Sequence, residues 1–133
     1  MTLHEFLALP HRFRWSGLGG DNCITWCATW ASEITGIDPA EDLRGTFSDA
    51  AGADKIISAA GGVVSFMDGR LKPIGFVRVD DPHDGDIAAV KAPAGIHGDI
   101  IGAIRFGPLW AMMAPAGVIA RKLEHVAAWR LNV

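Results

Sequence analysis

The sequence predicts a single α+β domain, and three observations predict it. Helical periodicity with recognisable caps runs from the N-terminus to Gly62. Beyond Gly62, short apolar runs alternate with turn residues, the pattern of a small, curved antiparallel sheet. The 133 residues, half of them apolar and a fifth charged, suffice for one hydrophobic core and not for two. The expected architecture is a mainly helical part over residues 1–62 packed on mainly strands over residues 63–133.

Thr2 with Glu5 three residues on is a capping-box pattern, and Leu3, Phe6 and Leu7 supply the apolar stripe of a short helix that stops before Pro10. His11–Trp15 then leads, extended, into a glycine-rich loop. A second helix is expected from Asn22 or Cys23 to Thr35, with Asp21 or Asn22 as its cap and Gly36 as its stop. Cys23, Cys27, Trp30 and Ile34 lie on one face of it, widened by Ile24, Ala28 and Ala31, which makes this the central core helix. Asp38-Pro39 predicts a turn or two of helix over Ala40–Leu43. Ser48 is the expected cap of a further helix to Ala60, with Ala53, Ile56, Ile57 and Ala60 inward and Gly61-Gly62 closing it. The expected strand segments are Val63–Phe66, Gly75–Val79, Ile87–Val90, Ile100–Phe106, Leu109–Met113, Gly117–Arg121 and Val126–Leu131. Asp68-Gly69, Asp84-Gly85 and Gly107-Pro108 punctuate them.

A net charge of −3 with both signs scattered argues against a nucleic-acid partner. No apolar run approaches the roughly 20 residues of a membrane span, and the N-terminus lacks the pattern of a signal peptide, so synthesis in the cytoplasm is expected. Two cysteines four apart make neither a disulfide framework nor a zinc site, and neither metal nor cofactor is expected. The glycine run is no phosphate loop, because no Gly-Lys-Ser/Thr follows it.

Cys23 is the candidate nucleophile. A thiol at a helix start feels the positive end of the macrodipole and unpaired N–H groups, both of which favour the thiolate. His97, in Ala94–Asp99, reads either as a general base or as a solvated loop histidine. His83 reads as a surface turn residue among acidic neighbours, His125 as a residue just before a strand, and His4 and His11 as parts of the N-terminal arm. Asp21 either caps the second helix or holds the Cys23 loop in shape. Gly17, Gly19 and Gly20 either converge N–H groups on an oxyanion or only permit a tight approach to the helix.

The order of short motifs is also informative. Trp15, Asp21 and Cys23 are followed by Thr35-Gly36, Asp38-Pro39, Arg44-Gly45, Gly52-Ala53 and Gly61-Gly62. Gly85-Asp86, Ala103-Ile104, Gly107 and the closing Ala128-Trp129-Arg130 complete the series. In these residues the chain resembles the papain-like cell-wall cysteine peptidases of the NlpC type, and more closely a phage and prophage branch of that superfamily. The resemblance implies a papain-like fold in which a cysteine at a helix start attacks an amide. A histidine at the start of a following strand takes the proton, and a polar residue on the next strand orients it. Here those two positions fall near Ile101 and Met112, neither of which can serve; His97, four residues before Ile101, is the candidate substitute, reaching the thiol only if the strand or loop is offset. The setting implied is a phage or gene-transfer-particle tail tip or hub. The partners implied are other tail-tip proteins and peptidoglycan stem peptides, and the role is structural or an impaired hydrolysis. An active cell-wall endopeptidase is the first alternative and an intracellular thiol amidase or acyltransferase the second.

Overall fold

The computed structural model describes residues 1–132, and local chemistry explains most of its helix boundaries. Thr2 and Glu5 form the expected capping box: each backbone N–H donates to the other's side chain, at 3.2 and 3.1 Å. This starts α1 (Leu3–Leu7), whose Phe6 is buried against the rings of Trp26 and Trp30. Helix α2 (Trp26–Thr35) begins later than expected, because residues 23–25 form a turn ahead of it. The cap is Asn22. Its Oδ1 accepts from the N–H groups of Ile24 (2.9 Å) and Thr25 (3.3 Å), and Thr25 Oγ1 accepts from Asn22 N–H in return (3.1 Å). Gly36, in the left-handed conformation, ends the helix as expected.

Residues 39–45 form successive turns in place of the expected helical piece. The Asp38 carboxylate accepts from Ala40 N–H there, a local bond that competes with helix. Helix α3 (Ala50–Ala59) is capped by Asp49, whose carboxylate accepts from Gly52 N–H at 2.8 Å, and not by Ser48. Ala53 is its one fully buried residue, Ile56 and Ile57 are partly buried, and Ala60 is exposed.

Val63–Phe66 is not a strand. It opens α4 (Val63–Leu71), and the expected Asp68-Gly69 turn lies inside that helix. The β-branched Val63-Val64 pair favours a strand locally, but Phe66, Met67 and Leu71 recur at helical spacing and are buried in the core. Tertiary burial overrides the weaker propensity. The helical part therefore extends to Leu71, followed by a 3-10 turn at Lys72–Ile74.

Six strands follow: β1 (Phe76–Val79), β2 (Ile87–Lys91), β3 (Ile100–Phe106), β4 (Leu109–Ala114), β5 (Gly117–Arg121) and β6 (His125–Leu131). They form one antiparallel sheet in the order β1-β6-β2-β3-β4-β5. His125 thus lies within a strand, not before it. Side-chain alternation divides the core in two. Ile87, Ala89, Ile104, Met113, Ala127 and Trp129 pack with Trp26, Cys27, Trp30, Phe66 and Leu71 of the helices. The alternate residues Ala88, Val90, Ile101, Ala103, Trp110, Met112 and Ala128 make a second buried cluster on the other face. No described residue of α1–α4 belongs to that cluster; Cys23, Val79, Ala92, Ile96, Ile119 and Leu123 pack against it. Among the described residues no helix is long and apolar enough to cross a membrane.

Tryptophan N–H groups stitch the layers together. Trp26 donates to the carbonyl of Ala111 on β4 (3.1 Å), Trp30 to the carbonyl of Gly85 (2.8 Å) and Trp129 to the carboxylate of Asp68 on α4 (3.0 Å). Asp68 is held below the usual carboxylate range first by the Trp129 bond and then by Lys72.

Candidate active-site cleft

The turn carrying Cys23 is fixed by its neighbours on both sides. The 11–21 segment folds back on itself, with Arg14 N–H donating to Asp21 C=O and Asp21 N–H to Arg12 C=O. The fully buried Asn22 side chain donates to the carbonyls of Arg14 (2.9 Å) and Trp15 (3.1 Å) while its Oδ1 caps the turn. Arg44 clamps the outer side: Nε and Nη2 meet Asp38, Nη1 meets Asp21 and the Gly17 carbonyl, and Nη2 also meets Thr29. Five bonds account for the five donors of the guanidinium, so Arg44 is a structural clamp with nothing left for an anionic ligand. Asp21 also accepts from Thr29 Oγ1 at 2.6 Å, so it holds the loop in shape and is not the cap.

Cys23 opens onto a cleft of about 660 Å³. Its walls are α3 (Ala53, Asp54, Ile57), the start of α4 (Val63, Val64, Met67), the segment His97–Asp99 and the start of β3 (Ile100–Gly102). The close approach of α2 to β3 depends on Gly102, where a Cβ would lie 2.9 Å from Cys27 Sγ. Cys27 is buried beneath the cleft, where its thiol donates to the Ala103 carbonyl (3.5 Å) and burial pushes its pKa up. Both cysteines are free thiols.

Cys23 and His97 line the same cleft, as two residues of one site must. Among the described residues, however, no hydrogen bond joins the Cys23 thiol to an imidazole. His97 Nε2 instead meets Asp54 Oδ1 of α3 at 2.9 Å, and its ring stands edge-on to Trp15, with centroids 5.9 Å apart. The thiol is not pre-activated either. Burial, with a smaller contribution from Asp54, pushes Cys23 up to about 11, against the opposing pull of the Cys23 and Ile24 backbone N–H groups. The thiolate expected from the helix start alone is overruled by desolvation.

Gly17, Gly19 and Gly20 do not face this cleft. They line a separate shallow hollow with Asp21, Thr29 and Arg44, and Gly17 N–H is spent on the Arg14 carbonyl. An oxyanion hole from these glycines is therefore ruled out by their placement; the N–H groups lying against the sulfur are those of Cys23 and Ile24. Ile101 also lines the cleft, while Met112 is wholly buried on β4 among apolar neighbours. Neither supplies a polar group to the site.

A family model matches residues 2–131, and its description is a domain of unknown function, DUF6950. The chain belongs to the DUF6950 family. No curated protein and no solved structure matches it. In this DUF6950 domain the quoted motifs have clear structural work. Gly85 accepts from Trp30, Asp86 is buried and receives Arg130 through Nε and Nη2 (2.7–3.1 Å), and Arg130 also reaches the Asp81 carbonyl. His83 sits on the surface beside Asp81, and His11 packs on Trp26 while bonding the Phe6 carbonyl. The residue that sequence reasoning missed is Asp54. It lies 43 positions from His97, and no spacing signal connects a helix carboxylate to a loop imidazole.

Proposed function

We propose that this DUF6950 domain is a structural component of a phage or gene-transfer-particle tail tip. In this reading it has a papain-like, cysteine-peptidase-type fold, and its cleft retains an impaired hydrolysis of peptidoglycan stem-peptide amides. The observation that carries the chemistry is that Cys23 and His97 line one cleft. The tail setting is supported by the motif series from Trp15 to Arg130 and its resemblance to the phage branch of the NlpC-type proteins.

The chemistry follows from the side chains. His97 takes the proton of the Cys23 thiol, and the sulfur attacks the amide carbon to form a C–S bond while the carbonyl oxygen gains negative charge. Backbone N–H groups at Cys23 and Ile24 are the donors nearest that charge. Collapse expels the amine, which receives the proton from His97, and water attacking the thioester restores the thiol. Two features slow this sequence: the thiol is protonated at neutral pH, and among the described residues no hydrogen bond joins the sulfur to the His97 ring.

Purified protein incubated with cell walls should release stem peptides slowly, and Cys23→Ala should abolish the release while leaving tail assembly intact. Release that persists in Cys23→Ala sinks the mechanism, and absence of the protein from purified particles sinks the tail assignment. Release at rates typical of efficient hydrolases would favour the active endopeptidase. One observation favours a second reading, an intracellular thiol amidase or acyltransferase. The cleft is walled by Ile57, Val63, Val64, Phe66 and Met67, apolar side chains that suit an acyl group.

A further inference from the structure

We propose that Asp54, on α3, is the positioning residue for His97, standing in for the strand residue whose place is taken by apolar Met112. The inference rests on the Cys23–His97 reading above. Three observations support it. Asp54 Oδ1 lies 2.9 Å from His97 Nε2, and both residues line the Cys23 cleft. The edge-on Trp15 ring gives the imidazole a second fixed contact. A carboxylate accepts only, so Nε2 must be the protonated nitrogen of the neutral ring, and the lone pair is then on Nδ1, free to accept the thiol proton. A proton moved from Cys23 Sγ to Nδ1 leaves an imidazolium whose Nε2–H points at a negative charge. That stabilises the thiolate–imidazolium pair relative to the neutral one.

The same carboxylate has an opposite effect by plain Coulomb repulsion, because it disfavours a nearby thiolate. The two roles therefore predict opposite signs for its removal, which makes the test decisive. The experiment measures alkylation of Cys23 by iodoacetamide at pH 7.5 in the full chain, located by peptide mass, for the parent, Asp54→Asn, Asp54→Glu and His97→Ala. If Asp54 positions the base, Asp54→Asn slows alkylation about two- to fivefold, as suits a solvent-exposed pair, His97→Ala slows it at least as much, and Asp54→Glu restores most of the parent rate. If His97→Ala slows alkylation while Asp54→Asn leaves it unchanged or faster, the inference is overturned and the base reading stands. If His97→Ala leaves the rate unchanged, the base reading fails and takes the inference with it. Nitrogen-15 spectra of His97 at alkaline pH give an independent measure in the unmodified protein. A neutral ring protonated on Nε2 is expected, becoming a mixture of tautomers in Asp54→Ala; a ring protonated on Nδ1 in the parent overturns the proposal.

Discussion

At the scale of single residues, Cys23 shows how burial competes with a favourable helix start. The sulfur has N–H groups beside it, yet desolvation dominates and holds the thiol up to about 11. The sign of the consequence can be worked out. In the unfolded chain the thiol keeps its ordinary value near 9.0, so on raising the pH the unfolded state loses its proton first. Stability contributed by the neutral buried thiol is present below pH 9 and is lost as the pH rises towards 11. Urea titrations of the parent between pH 8 and 11 should therefore show a falling midpoint, and Cys23→Ser should lessen that decline, the remainder belonging to the buried Cys27 thiol. An equal decline in the variant would show that another group is responsible.

At the scale of elements, the cleft depends on how closely α2 can lie on β3. Gly102 permits that approach, because a Cβ there would enter the space of Cys27 Sγ. Gly102→Ala should cost about 1–3 kcal/mol by overpacking, and it should also alter the alkylation rate of Cys23, whose carbonyl borders the same spot. Denaturant melts and thiol labelling check both; a variant as stable as the parent would mean that α2 shifts freely. Helix α4 illustrates the converse dependence of an element on its surroundings. Its Val63-Val64 start has no helical preference of its own, and the helix exists because Phe66, Met67 and Leu71 are buried together.

At the scale of the whole molecule, the sheet is buried on both faces, unlike many antiparallel sheets with one wet side. Its ends must be fastened, and the Asp86–Arg130 pair does this by tying β6 to the turn before β2. Asp86 is buried and also accepts from His83 N–H, whereas Arg130 is partly exposed. Arg130→Ala leaves the carboxylate without its cation and should lower the melting temperature. An unchanged melting temperature would show that Asp86 is satisfied without it. The loss should be eased when Asp86→Asn accompanies it, since the remaining charge is then removed.

The sequence by itself determined the α+β class, three of the helices before Gly62 and six of the strand positions. Those properties are local: they follow from side-chain period, capping chemistry and turn residues within a few positions of one another. Tertiary structure decided what depends on residues far apart. It converted Val63–Phe66 from strand to helix through burial, turned Gly17–Gly20 away from the cleft, and set the thiol's protonation by desolvation. It also brought Asp54 of one helix to His97 of a distant loop, because a carboxylate and an imidazole pair by position in space and leave no periodic trace in the chain.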